Sequence, residues 1–209
     1  MASTLAPAPS LPPHGRSLRI GLLGGSFNPP HAAHRLISLI AMRRLGLDAV
    51  WWLVTPGNPL KDASLLPDIA TRMDWARAIK QHPRIHITGI EDKIGTRFSV
   101  DTLNWLKRRA PGTRFVWLMG SDNLASFHRW KDWTTIAALM PMAVIDRPGS
   151  TLKATRSRAA TALAAYRRPE HLQKALLQYQ APAWIMLHDK RSTLSSTGLR
   201  ARQKPPLPR

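Results

Sequence analysis

Two histidines three residues apart, His31 and His34, close the stretch GGSFNPPHAAH that begins at Gly24. Imidazoles at this spacing share one face of a helical turn. They can ligate a metal, take up a proton, or donate hydrogen bonds to an anion. An apolar run over 18–23 precedes the stretch, and a helix-like run follows from Arg35. A helix start presents unpaired N–H groups and a positive dipole end, which attract anions. Gly24 and Gly25 allow the main chain to turn sharply and to come close to a ligand. Imidazole donors in that setting suit the phosphate oxygens of a nucleotide. A zinc site wants further ligands; His86, His128 and His188 occur, but in no short-range pattern such as HExxH. A general base lacks an obvious nucleophile to activate. The stretch matches neither GxxxxGK[ST] nor GxGxxG.

A second cluster, LSSTGLR, begins at Leu194. Hydroxyl residues ahead of a helical run serve as caps. Ser195, Ser196 and Thr197, with Arg200 three residues on, also make an anion cradle. Two cradles suggest a triphosphate held between them.

The elements that must position these residues alternate. Strand-like runs cover 18–23, 49–55, 84–88, 114–119, 142–146 and 183–187. Most are continuously apolar, as strands buried on both faces of a parallel sheet are. Helix-like runs cover 31–45, 66–81, 99–109, 134–139 and, longest, 153–179. The alternation predicts a doubly wound, mostly parallel, Rossmann-like α/β sheet with helices on both faces. Ligands of such sheets bind beyond the C-terminal ends of the strands. The chemistry-bearing stretches fall there: GGSFNPPHAAH, PGNPLK from Pro56, GSDN from Gly120, and the residues after 187.

The 209 residues, 44% hydrophobic and without cysteine, suit one domain with a sizeable core and allow no disulfide or thiolate metal site. Residues 1–17 are expected to be a disordered leader, 18–202 a single domain, and 203–209 a flexible tail. No apolar run approaches the roughly 18 residues of a membrane span. The N-terminus lacks the pattern of a secretory signal, so a cytoplasmic location and no membrane partner are expected. Thirty-one Lys and Arg against 12 Asp and Glu leave a net charge of +19, which attracts polyanions. The cations are scattered in short clusters rather than one run, which favours an anion-binding enzyme over a nucleic-acid binder.

Over residues 18–202, the two motifs resemble, in order and context, the nucleotidyltransferase superfamily of adenylyl- and cytidylyltransferases. That superfamily carries an HxGH-type signature after its first strand and ISSTxxR before its last helix. The middle of the chain is similar to one branch, the bacterial nicotinate-nucleotide adenylyltransferases, through PGNPLK from Pro56, RFSVDTL from Arg97 and MGSDNLASFHRW from Met119. The resemblance implies that the 5′-phosphate of nicotinate mononucleotide attacks the α-phosphorus of ATP in NAD biosynthesis. Deamido-NAD and pyrophosphate result, and Mg²⁺ arrives with the nucleotide. It implies a small C-terminal helical region beside the sheet. It places His31, His34 and Arg200 at the reacting phosphates. It gives Gly24, Gly25, Ser26, Phe27, Asn28, Gly120, Asp122, Ser195, Ser196 and Thr197 to ATP. Asn58, Lys61, Phe98, Ser99 and Trp130 fall to the acceptor, with Ser99 at the nicotinate carboxylate and Trp130 stacked on the pyridine ring.

Three positions depart from the family pattern. Asn28 stands where many members have Asp, Ala33 where the signature has Gly, and Ser99 where Thr is usual. Ala33 adds a methyl where the nucleotide approaches. The alternatives are a related adenylyltransferase that takes nicotinamide mononucleotide or phosphopantetheine, and a nucleotide- or nucleic-acid-binding protein without turnover. A homo-oligomer is left open, with the 153–179 segment as its contact.

Overall fold

The computed structural model describes residues 9–57, 66–146 and 151–188. Its centre is a six-stranded, wholly parallel sheet. The elements run β1 (Arg19–Gly25), α1 (Ala32–Leu45), β2 (Ala49–Val54), α2 (Ile69–Lys80), β3 (Ile85–Thr88), α3 (Ile90–Lys93), α4 (Ser99–Arg109), β4 (Arg114–Gly120), α5 (Ser121–Ser126), α6 (Trp133–Leu139), β5 (Met142–Ile145), α7 (Thr151–Thr155), α8 (Arg158–Ala162) and β6 (Trp184–Leu187). The strands lie in the order β3-β2-β1-β4-β5-β6. The order reverses between β1 and β4, the switch point where doubly wound sheets open a crevice.

The strands are apolar throughout because both faces are covered. In β2, Trp51 and Leu53 pack on one side with α3, α4, α5 and α6, while Trp52 and Val54 pack on the other with α1 and α2. All six expected strands are present. Asp68 starts α2 by accepting from the Thr71 N–H at 2.9 Å and the Thr71 hydroxyl at 2.6 Å.

Three expectations change. The helix over 153–179 is broken into α7, α8 and two 3-10 stretches, Ala164–Tyr166 and Glu170–Gln178. Ser157 is extended and caps α8, its Oγ accepting from the Ala160 N–H at 3.2 Å. Pro169 lacks an N–H and restricts Arg168 before it, so no helix crosses that point. Residues 9–17, assigned by composition to the leader, lie along the domain. Leu11 packs on the core, the Ser17 N–H donates to Gly112 O at 2.9 Å, and the Thr113 hydroxyl donates to Gly15 O at 3.1 Å. The C-terminal helical region falls outside the described residues.

The third change concerns Gly24 and Gly25, which end β1 rather than form the turn, and neither has positive φ. A Cβ on Gly24 would sit 2.7 Å from Cη2 of Trp117, a ring 1% exposed. Glycine is needed there for packing. Gly24→Ala is expected to cost about 1–3 kcal/mol, the usual penalty of overpacking. Urea unfolding midpoints measure it, and an unchanged midpoint would show that the ring can give way.

Candidate functional site

The first site element is the turn from β1 into α1. Its positive φ, 46°, falls on Phe27, which is 1% exposed. His31 is the N-cap of α1, extended at φ −151° and ψ 166°, and His34 is its third residue. The pair thus straddles the helix start instead of lying within the first turn. The His34 N–H donates to His31 O at 2.9 Å, and the His31 N–H donates to Nδ1 of His34 at 3.2 Å. A ring nitrogen that accepts carries no proton, so that bond assigns the proton of neutral His34 to Nε2.

A stack of rings holds this geometry. His31 and His34 have centroids 4.0 Å apart, His34 and Phe27 4.6 Å, and Phe27 lies flat on Trp52 at 5.1 Å. Trp52 Nε1 donates to the Ser38 hydroxyl at 2.8 Å, and that hydroxyl donates to His34 O at 2.9 Å. The imidazoles are therefore braced from the sheet. His31 is 5% exposed. Ala33 is 2% exposed, so its methyl is covered by protein and offers no surface to a ligand.

β4 supplies the opposite wall. Leu23 pairs with Leu118, so Gly25 and Gly120, each two residues on, stand level at the strand ends. Gly120 caps α5, and Asp122 sits in its first turn, where a carboxylate suits the dipole. The structure thus brings Gly24, Gly25, Ser26, Phe27, Asn28, His31, His34, Gly120 and Asp122 to one edge of the sheet. Asn58, Lys61, Ser195, Ser196, Thr197 and Arg200 lie outside the described residues. Among the described residues no group of three or more His, Asp and Glu side chains converges to hold a metal ion. The donor set at the switch point, imidazoles beside a helix start, fits phosphate oxygens, and a divalent cation would come on the phosphates themselves.

Phe98 and Ser99 open α4, Phe98 as N-cap and Ser99 as first residue. Lys131 Nζ lies 4.5 Å from the Phe98 ring centroid. Trp130 is half-buried and edge-on to Trp117 at 6.2 Å and to Phe127 at 5.4 Å. Behind α4, Glu91 is 2% exposed and bonded by the Thr102 hydroxyl. Burial pushes its carboxyl up to about 7, against the lowering by that bond. The Thr96 N–H donates to Glu91 O at 2.9 Å, and the Thr96 and Thr102 hydroxyls are 2.9 Å apart. This network closes the loop that leads to Phe98.

Sequence reasoning missed four groups: Glu91, Lys131, Arg72, and a clasp around Arg44. Arg72 on α2 is 1% exposed and, among the described residues, donates to four main-chain carbonyls. Desolvation lowers its pKa, while Asp68 and Asp92 hold it up. A signal existed: Arg72 falls on the stripe Ile69, Met73 and Ala76 that faces the core. In the clasp, Arg44 bonds Gln173, reaches Glu170 Oε1 at 2.5 Å and donates to His188 O at 3.0 Å. His188 Nδ1 lies 2.7 Å from Glu170 Oε2. Burial pushes the Glu170 carboxyl up, but hydrogen bonds from His188 and Arg44 outweigh it and hold it below its ordinary value. The clasp anchors the end of β6 to α1, the helix that starts with the histidines.

A wholly parallel sheet with this strand order and paired imidazoles at its switch point defines a doubly wound nucleotide-binding protein. Residues 22–202 match the model of the cytidylyltransferase-like family. A Bradyrhizobium sp. (strain BTAi1) protein named "Probable nicotinate-nucleotide adenylyltransferase" is 57% identical over 183 residues, 88% of this chain and 95% of that protein. One of the same name from Agrobacterium fabrum is 50% identical over 185 residues, 88% and 99% of the two chains. The solved Plasmodium falciparum nicotinic acid mononucleotide adenylyltransferase complexed with NaAD matches at a TM-score of 0.66 and 16% identity, covering 88% of this chain and 83% of that one, and so supports the fold. The chain belongs to the cytidylyltransferase-like family, in its nicotinate-nucleotide adenylyltransferase branch.

Proposed function

We propose that the chain transfers the adenylyl group of ATP to nicotinate mononucleotide in the cytoplasm, forming deamido-NAD and releasing pyrophosphate. The observation that carries this reading is the His31–His34 pair, braced at the β1–β4 switch point. An oxygen of the acceptor 5′-phosphate attacks the α-phosphorus, and the bond from that phosphorus to the β-phosphate oxygen breaks. Pyrophosphate leaves with the electron pair. Little covalent chemistry falls to the protein; it aligns the reactants and meets developing charge with fixed donors.

Nε2 of His34, His31, the start of α1 and Arg200 are the donors for that charge. Gly24, Gly25, Ser26, Phe27, Asn28, Gly120, Asp122, Ser195, Ser196 and Thr197 are the residues assigned to binding the nucleotide. A Mg²⁺ ion arriving with ATP would supply further neutralisation of the phosphate charge. On the acceptor side, the α4 start, the Ser99 hydroxyl and Lys131 suit a carboxylate, with Asn58 and Lys61 at the acceptor phosphate. Donors rather than acceptors there favour nicotinate over nicotinamide. Trp130 lies beside them for the pyridine ring.

Pyrophosphate release from ATP and Mg²⁺ with each of three acceptors tests the reading. Nicotinate mononucleotide is expected to be used best. Faster release with phosphopantetheine, or none with any pyridine mononucleotide, overturns it. Trp130→Ala is expected to raise the acceptor KM about 10-fold, the worth of one ring contact, and to leave the ATP KM alone. Initial rates at varied acceptor and fixed ATP give the number.

A further inference from the structure

We propose that the buried Arg72 guanidinium sets how the turn after β1, at Ser26, faces Thr55 and Pro56 at the exit of β2, and so acts as a positioning residue for the transfer step. This rests on the adenylyltransferase reading. Arg72 lies in α2, one turn from its start, outside the residues that reach either substrate in that reading. Its Nη1 donates to Ser26 O and to Thr55 O, both at 2.7 Å. Its Nε donates to Pro67 O at 2.8 Å, and Nη2 to Pro56 O at 3.3 Å. One planar fork thus joins the turn that precedes His31, the turn that leaves β2, and the approach to α2. The Thr55 N–H, donating to Gly25 O at 3.0 Å, also ties the ends of β1 and β2 together.

Two consequences follow for the nucleotide loop. The Ser26–Phe27 peptide is trans, so its C=O and N–H point opposite ways. Holding Ser26 O on Arg72 aims the Phe27 N–H away from the guanidinium. Phe27 also has a φ of 46°, a conformation that persists only where neighbours impose it. The bond to the carbonyl just before it is such a restraint. A lysine keeps the charge but not the fork, and cannot hold all of these carbonyls in one plane.

Two variants test the proposal, Arg72→Lys and Arg72→Met, the second a near-isostere that leaves no buried charge. Circular dichroism and a cooperative melt establish that each is folded. Initial rates give kcat, and calorimetry gives the Kd of a non-hydrolysable ATP analogue. The expected result is a kcat about 10²-fold lower, as for a misaligned reactant, with the analogue Kd within about 3-fold. An unchanged kcat in a folded variant overturns the proposal and leaves Arg72 a stability residue. A Kd that weakens in step with kcat overturns it too, because Arg72 then acts through binding. If neither variant folds, Arg72 is a folding residue and the proposal fails. Lack of turnover in the wild-type enzyme overturns the adenylyltransferase reading itself; loss confined to the variants does not touch that reading.

Discussion

His34→Ala is expected to lower kcat by about 10²–10³-fold, the usual loss when one fixed donor to a developing oxyanion is removed. Negative charge grows on the α-phosphate oxygens and on the leaving pyrophosphate as the bond breaks. A donor already aimed at that position stabilises the transition state without reorganising. His34 is held in this way: its Nδ1 accepts from the His31 N–H, its carbonyl accepts from Ser38, and its ring rests against Phe27. In the neutral ring the remaining nitrogen, Nε2, then carries the proton, and it is the donor in the proposed mechanism. The ATP KM is expected to move by less than about 10-fold, since a contact made mainly in the transition state shows in kcat. His34→Gln keeps an amide donor and is expected to recover part of the loss. Steady-state pyrophosphate release decides it. Near-normal kcat in His34→Ala would reduce the ring to a packing partner of Phe27.

Glu91 carries the second large effect, on stability. In the unfolded chain its carboxyl releases a proton near 4.5, whereas in the folded chain burial holds the proton until about 7. Between those values the folded state binds more protons than the unfolded one, so stability falls as pH rises. Stability from this group is complete below about 4.5 and lost once pH passes about 7. The loss is about 3 kcal/mol, from 1.36 kcal/mol per pH unit across that window. Glu91→Gln cannot titrate. The variant is therefore expected to gain about 3 kcal/mol on the wild type between pH 4.5 and 8. Urea unfolding of both proteins across that range checks it, because all other titrations cancel in the difference. A pH-independent difference would mean that Glu91 ionises at its ordinary value.

The strands were legible because a strand buried on both faces must be apolar at every position, and runs such as that over 49–55 are. Helix α4 was legible to its ends, Ser99 and Arg109. The long helix over 153–179 was misread because its apolar period survives the breaks at Ser157 and Pro169. The reading of the glycines failed for a different reason. Gly24 answers to Trp117, 93 residues on, and nothing local announces that contact. Arg72 left a trace, a cation on an apolar stripe, but its partners Ser26, Thr55, Pro56 and Pro67 come from three segments. Glu91 left none, since its burial comes from the packing of α3 on the distant strand β2.

The sequence by itself determined the alternation of strands and helices and the placing of His31 and His34 where a strand hands over to a helix. Those are properties of short windows, written in period and in residue type. Only the tertiary structure decided that β1 lies beside β4, with 88 residues between the end of one and the start of the other. Parallel pairing is set by how covered faces pack, not by any neighbouring residue, and it is this pairing that makes the switch point at which the histidines stand.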